Sequence, residues 1–163
     1  MIPNKKAPDK IAVMANPNID QAMDVADQVQ VFLAEKGIES QTGSLYDEDF
    51  RGEVESQVFD MVIALGGDGT MLRAGHLCAP ADVPLLGINV GHFGFLVELK
   101  RENWQKFLPK LFTGDFRYEE RMMLYARCVR DVEEQTAFDV INDVVVTRGQ
   151  YVRPIEVEAY LNG

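Results

Sequence analysis

Five consecutive residues, Gly66-Gly67-Asp68-Gly69-Thr70, combine three glycines with one carboxylate and one hydroxyl; we call them the glycine loop. A glycine N–H can approach a phosphate oxygen closely because no Cβ stands in the way. A carboxylate repels phosphate unless a cation lies between them or the carboxylate contacts a hydroxyl. The pattern therefore indicates phosphoryl transfer or nucleotide binding. From spacing alone, a tight turn with Asp68 or Thr70 capping a helix remains the alternative.

The segments around the glycine loop predict where it lies. The apolar run Phe59–Leu65 predicts a buried strand, and Met71–Ala79 predicts a helix. The N-terminus of such a helix offers N–H donors and a partial positive charge to an anion. A second apolar run, Pro84–Val90, also ends in glycine-rich sequence, Gly91–Leu96. Ligands bind at the carboxyl ends of strands in parallel sheets, so two such loops favour a binding site over a mere turn.

The remaining pattern up to residue 118 alternates strands with helices. This alternation predicts an α/β domain with a parallel sheet covered by helices on both faces. The further predicted elements are a strand at Lys10–Ala15 ending at Asn16-Pro17, a helix at Ile19–Lys36, an edge strand at Ile38–Leu45, a polar acidic loop over 46–57, and a short helix at Glu102–Phe112 distorted by Pro109.

The character of the sequence changes after Gly114, and residues 119–163 predict the start of an all-β, sandwich-like second domain. Its predicted elements are strands at Met122–Arg130, Phe138–Arg148 and Pro154–Leu161, with a polar turn at Asp131–Gln135. Alternating apolar and polar residues in the third strand predict antiparallel pairing. Because no strand follows the hairpin-type dipeptide Asn162-Gly163, we expect a β domain cut short. The alternative is that these strands pack on the first domain.

Composition and charge limit the classes of function. The 163 residues, 47% hydrophobic and 26% charged, are typical of a globular chain with one domain or part of a second. A net charge of -10 without a basic stripe argues against nucleic acid. No apolar stretch approaches the ~20 residues that span a bilayer. We expect Cys78 and Cys128 to be reduced and buried, and neither they nor His76 and His92 form a zinc pattern. These features predict a cytoplasmic protein.

Three segments together resemble the NAD kinase family. They are the glycine loop, Leu86–Leu96 (LGINVGHFGFL) and Ile141–Gly149 (INDVVVTRG), and they follow in order along nearly the whole chain. Gly-Gly-Asp-Gly alone is shared with 6-phosphofructokinases and with the diacylglycerol and sphingosine kinases. Those lipid kinases usually continue with Asn and Glu, whereas Met71-Leu72-Arg73 follows here, which favours the NAD kinases.

The resemblance implies an α/β domain, a β-sandwich domain and an active site between them, usually in homodimers or homotetramers. It implies transfer of a phosphoryl group from ATP, or from polyphosphate in some members, to the 2′-hydroxyl of the adenosine ribose of NAD. The product is NADP, and a divalent metal, expected to be Mg²⁺, is needed. The family's second motif, rich in glycine and threonine, does not occur in this sequence. We therefore expect the chain alone to have low or no turnover.

The resemblance also assigns roles to residues. Asp68 matches the catalytic aspartate, expected to orient the attacking hydroxyl and take its proton late, or to help place the metal. The matches to the phosphate-side loop are Gly66, Gly67, Gly69 and Thr70. The implied NAD-binding residues are Asp68, Gly69, Phe95, Asn142 and Asp143. Possible phosphate contacts are Arg73 and Arg148.

Some of these assignments have simpler alternatives. Phe95 is equally well explained as a core residue. For Asn142, a turn residue is the weaker explanation, because Asn142 sits inside an apolar strand run. The two arginines are alternatively explained as solvated side chains. Asp143 stands where the family more often has Glu, so its carboxylate reaches one methylene less far.

Two other functions remain open. A related kinase acting on a sugar phosphate or a lipid would share Asp68 but would not account for Leu86–Leu96 and Ile141–Gly149 together. A non-catalytic nucleotide-binding domain would account for the early end of the β-rich region.

Overall fold

A parallel sheet organises the first of the two units into which the chain divides, Met1–Met122 and Met123–Gly163. The computed structural model describes residues 7–91, 94, 96–147 and 156–161. Strands and helices alternate through the first unit, which confirms the predicted α/β class. Its elements are β1 (Lys10–Ala15), α1 (Ala22–Glu35), β2 (Glu39–Ser44), α2 (Glu48–Glu55), β3 (Met61–Gly66), α3 (Asp68–Cys78), β4 (Leu85–Asn89), β5 (Leu99–Lys100), α4 (Trp104–Phe107) and α5 (Lys110–Thr113).

The order of strands in this sheet is β2-β1-β3-β4-β5, and each neighbouring pair is parallel. The chain leaves β1 towards β2 at one edge and returns to β3 on the other side of β1. The direction of winding therefore reverses between β1 and β3, and ligands of such sheets bind outside the carboxyl ends of the strands at this point. Ala15 pairs with Leu65, and Gly66 pairs with Asn89, so the carboxyl ends of β1, β3 and β4 lie side by side.

Apolar side chains cover both faces of the sheet, as the predicted parallel sheet requires. Ile11, Val13 and Ala15 pack with α1 on one face, together with Trp104 of α4. Ala12 and Met14 point the other way and pack against side chains of α2 and α3. The residues of β3 are all buried because helices lie on both sides of this central strand.

The acidic segment predicted as a loop forms helix α2, so that prediction was wrong. Asp47 caps the helix by accepting a hydrogen bond from the backbone N–H of Phe50 at 3.1 Å. Phe50 and Val54, one turn apart, are both buried against the sheet. An acidic cap with two apolar residues at helical spacing is enough to form a short helix once the sheet offers a surface.

We expect Asp47→Ala to lower the free energy of unfolding of the first unit by about 1 kcal/mol, because the N-terminal N–H groups of α2 lose their side-chain acceptor. Urea unfolding followed by the fluorescence of Trp104, the only tryptophan, measures this change. Asp49→Ala is the matched control, since Asp49 is exposed in the same turn and supplies only a charge. Equal losses in the two variants would contradict the capping role.

The short helix predicted at Glu102–Phe112 is divided into α4 and α5 on either side of Leu108-Pro109. This break agrees with the distortion expected from Pro109, which cannot donate a backbone hydrogen bond. Gly114 ends α5 in the left-handed conformation, at φ 73°. The two-residue strand β5 was not predicted, because two residues are too few to show a hydrophobic periodicity.

The second unit contains an antiparallel pair, β6 (Leu124–Arg130) and β7 (Glu133–Val140). The turn between them needs only Asp131 and Val132, both at positive φ, so Glu133–Gln135 belong to the strand. The prediction of a strand at Phe138–Arg148 was therefore wrong in both its beginning and its end. Residues 156–161 of the predicted third strand form no strand, because alternation alone does not supply a paired neighbour; Pro154 and Ile155 lie outside the described residues.

Both cysteines are free, but they differ in exposure. Cys78 is buried in α3, and burial raises the pKa of its thiol to about 12. Cys128 is exposed in β6, so the prediction that both are buried was wrong for this residue. In the described part of the chain, no helix has the length and apolar character to cross a membrane.

Candidate functional site

The glycine loop joins β3 to α3. Gly66 is the last residue of β3, and Gly67 is the N-cap of α3, with extended backbone and no side-chain cap. Helix α3 begins at Asp68, three residues before the predicted Met71, because the Gly67 carbonyl already accepts hydrogen bonds from the N–H groups of Thr70 and Met71 at 3.0 and 3.1 Å. Neither Asp68 nor Thr70 is therefore the N-cap.

The second glycine-rich loop meets the first at the carboxylate of Asp68. Asp68 is half-buried, and its Oδ1 accepts a hydrogen bond from the backbone N–H of Leu96 at 3.0 Å. Gly94 lies against the same oxygen, because a Cβ there would stand 2.6 Å from it. A fixed N–H donor thus orients the only carboxylate of the glycine loop.

Thr70 is the one polar residue that is buried among the residues described, with 2% of its surface exposed. Its hydroxyl accepts a hydrogen bond from Nδ2 of Asn16 at 3.1 Å. Gly66 leaves the space that Thr70 fills, since a Cβ on Gly66 would overlap the threonine side chain. The hydrogen bond from Asn16 and the close packing against Gly66 therefore both restrain the turn from β3 into α3.

Two asparagines at this edge were missed by the sequence analysis. Asn16 follows β1 and contacts Thr70; Asn89 ends β4 and accepts the N–H of Gly91 through Oδ1 at 2.9 Å. The signal available for both was a polar residue at the carboxyl end of an apolar strand run. Its meaning depended on the order of the strands, which the sequence pattern does not specify.

Arg73, a possible phosphate contact, is exposed on the second turn of α3. Its guanidinium lies over the ring of Tyr46, with its Cζ atom 5.4 Å from the ring centroid. Nδ2 of Asn18 donates to the Tyr46 hydroxyl at 3.4 Å. The arginine is therefore not simply solvated, because cation–π contact keeps a positive charge beside the carboxyl ends of β1 and β2.

The other proposed site residues are placed differently. Asn142 and Asp143 belong to the second unit, where they are exposed after the end of β7 and outside any strand. Phe95 and Arg148 lie outside the described residues. Within the described ranges, no group of three or more His, Cys, Asp and Glu side chains is arranged to hold a metal ion.

Comparison with known proteins gives one consistent result. Residues 39–116 match the model of the ATP-NAD kinase N-terminal domain. The NAD kinase of Natranaerobius thermophilus is 40% identical over 156 residues, which cover 90% of this chain and 54% of that protein. The NAD kinase of Caldanaerobacter subterraneus subsp. tengcongensis is 35% identical over 162 residues, covering 94% and 56%. This chain therefore spans about half the length of these curated relatives.

A solved structure supports the fold. The chain resembles yeast NADH kinase, whose crystal structure contains NADH, with a TM-score of 0.61 at 15% sequence identity. The match covers 85% of this chain and 48% of that one. At this identity the likeness concerns the arrangement of strands and helices.

Proposed function

This chain belongs to the NAD kinase family, and we propose on this basis that it takes part in phosphoryl transfer to NAD. The acceptor is the 2′-hydroxyl of the adenosine ribose. ATP or polyphosphate is the donor, and NADP is the product. The observation that carries the proposal is the meeting of two glycine-rich loops at one oriented carboxylate, Asp68. Parallel sheets bind nucleotides at their carboxyl edge, where the direction of winding reverses, and here it reverses between β1 and β3.

Asp68 is the proposed catalytic residue. The Leu96 N–H holds Oδ1 of its carboxylate, so the side chain can present a fixed acceptor to a ribose hydroxyl. Accepting the hydroxyl proton as the new P–O bond forms is the role that such a residue has in phosphoryl transfer. The carboxylate also orients the nucleophile, and orientation accounts for much of the catalysis in this reaction class.

The donor phosphates are proposed to lie against the glycine loop. Gly69 is exposed at the start of α3, and a Cβ on Gly67 or Gly69 would meet nothing within 4 Å, so open space lies beside the loop. The first-turn N–H groups and the helix dipole favour an anion there. Arg73, held over Tyr46, and Arg148 are the proposed additional phosphate contacts.

A divalent metal, with Mg²⁺ as the expected ion, completes the phosphate side of the proposal. Mg²⁺ is usually bound by one or two carboxylates together with substrate phosphates rather than by a full protein cage. As the carboxylate of the glycine loop, Asp68 fits that donor set, and helping to place the metal is the alternative to its role as proton acceptor. When bound, the ion would neutralise charge between the carboxylate and the donor phosphates.

The nucleoside side of NAD is proposed to contact Phe95, Asn142 and Asp143, together with Gly69 and Asp68. An amide next to a carboxylate can donate to and accept from a diol, and the exposure of Asn142 and Asp143 supports this use. We also propose that the chain divides into domains at 1–118 and 119–163. The proposal includes assembly into homodimers or homotetramers and a cytoplasmic location.

The test is NADP formation from NAD and Mg-ATP, read through an NADP-specific dehydrogenase. We would assay the 163-residue chain beside a version extended to the length of its relatives, and we expect activity in the extended version alone. NAD should also protect the extended protein against heat, whereas fructose 6-phosphate and diacylglycerol should not. Phosphorylation of either of these instead of NAD would overturn the proposal, and NAD binding without any kinase activity would favour a regulatory domain.

A further inference from the structure

We infer that Asn16 is a positioning residue that holds the first turn of α3, and therefore Asp68, through the buried hydroxyl of Thr70. The contact itself is independent of the proposed function, whereas its consequence for catalysis rests on that function. Asn16 lies 54 positions before Thr70 in the sequence and has no part in the assignments made from family resemblance.

The backbone of Asn16 is fixed to the strand that leads into the glycine loop. Its N–H donates to the carbonyl of Leu65 at 3.2 Å, one step beyond the pairing of Ala15 with Leu65. The parallel ladder of β1 and β3 therefore continues to the residue before Gly66. Any movement of the Asn16 backbone away from Leu65 would have to break this hydrogen bond.

The side chain of Asn16 is oriented by its own turn. Oδ1 accepts the N–H of Asn18 at 3.0 Å, and the Asn16 carbonyl accepts the N–H of Ile19 at 3.1 Å. Because Oδ1 is engaged, Nδ2 points away from this turn, and it donates to Oγ1 of Thr70 at 3.1 Å. The carboxamide accepts with its oxygen and donates with its nitrogen, so one side chain makes both hydrogen bonds.

Thr70 transmits this restraint to the turn that carries Asp68. Its side chain is enclosed between Gly66 and Asn16, and its N–H donates to Gly67 at 3.0 Å. Asp68 lies two residues earlier in the same helical turn, with its carboxylate held by Leu96. A shift of Thr70 would therefore move the proposed catalytic carboxylate relative to its N–H donor.

The direct test is amide hydrogen exchange, measured by NMR on the 163-residue chain. Asn16→Leu keeps a similar volume but removes the hydrogen bonds, and we expect exchange at Thr70 and Met71 to accelerate about 5- to 10-fold. Asn18→Ala is the matched control: Asn18 keeps its backbone N–H, and its side chain donates to Tyr46 rather than to Thr70. An unchanged rate in Asn16→Leu, or an equal acceleration in Asn18→Ala, would overturn the inference.

A double-mutant cycle separates this coupling from a general loss of stability. Thr70→Val removes the hydroxyl and should accelerate exchange at Met71 as Asn16→Leu does. Thr70→Ser keeps the hydroxyl, so its amide at Met71 should exchange at the wild-type rate. If Asn16 acts through Thr70, the double variant Asn16→Leu/Thr70→Val should exchange no faster than the faster single variant. Additive acceleration would mean that Asn16 acts by another route.

Activity provides a second readout. In the extended enzyme, Asn16→Leu should lower kcat about 10- to 100-fold with a much smaller change in KM for NAD. The reason is that a misplaced Asp68 carboxylate impairs the chemical step more than it impairs the binding of NAD. A kcat within twofold of wild type would overturn the inference while leaving the proposed function intact. If the extended wild type does not phosphorylate NAD, the proposed function fails, and the exchange measurements still decide the role of Asn16.

Discussion

Asp68→Asn is expected to lower kcat for NADP formation by about 10²- to 10⁴-fold while changing the affinity for NAD by only a few-fold. Asn has nearly the same shape, and its Oδ1 can still accept the hydrogen bond from Leu96, so the two loops should keep their geometry. The carboxamide is neutral and cannot take the proton of the attacking hydroxyl. The loss should therefore fall on the chemical step.

The measurement is kcat and KM in the extended enzyme, with the dissociation constant of NAD from calorimetry. Asp82→Asn is the control, because Asp82 is exposed beyond the opposite end of α3 at positive φ, a conformation that Asn adopts readily. It should retain wild-type kcat. An Asp68→Asn enzyme that loses NAD affinity as much as kcat/KM would show that Asp68 binds substrate rather than acting in the transition state.

Gly66→Ala is expected to lower the free energy of unfolding of the first unit by about 1–3 kcal/mol, the cost typical of overpacking a close-packed core. Three side-chain atoms of Thr70 would lie within 2.7 Å of the new methyl carbon, so no rotation of Thr70 relieves the overlap. Asn16 holds the threonine from the other side, so we expect the strand-to-helix turn itself to shift.

Gly67→Ala is the matched control for stability. A Cβ there would meet nothing within 4 Å, and the backbone at φ -107°, ψ -165° is open to any residue. Urea unfolding followed by Trp104 fluorescence compares the two variants, since Trp104 is buried in the first unit. Equal unfolding free energies would contradict the close packing of Gly66 against Thr70.

Local patterns predicted the elements of the first unit well where the pattern is strong. Lys10–Ala15 was predicted with its observed bounds, because a continuous apolar run next to an Asn-Pro break is unambiguous. Helix α2 was missed because its cap and its two apolar residues form a helix only against the sheet. In the second unit, the alternation of Pro154–Leu161 predicted pairing, but it could not say which neighbour would supply the hydrogen bonds.

Local sequence patterns were sufficient to predict the α/β class and the location of glycine-rich turns after β3 and β4, because periodicity, apolar runs and glycine act within a few residues of the chain. Which of these turns and side chains meet depends on the tertiary fold. Asp68 accepts a hydrogen bond from Leu96, 28 positions away, and Thr70 from Asn16, 54 positions away. These contacts depend on the order β2-β1-β3-β4-β5, and that order follows from the packing of all the helices and strands together rather than from any one segment.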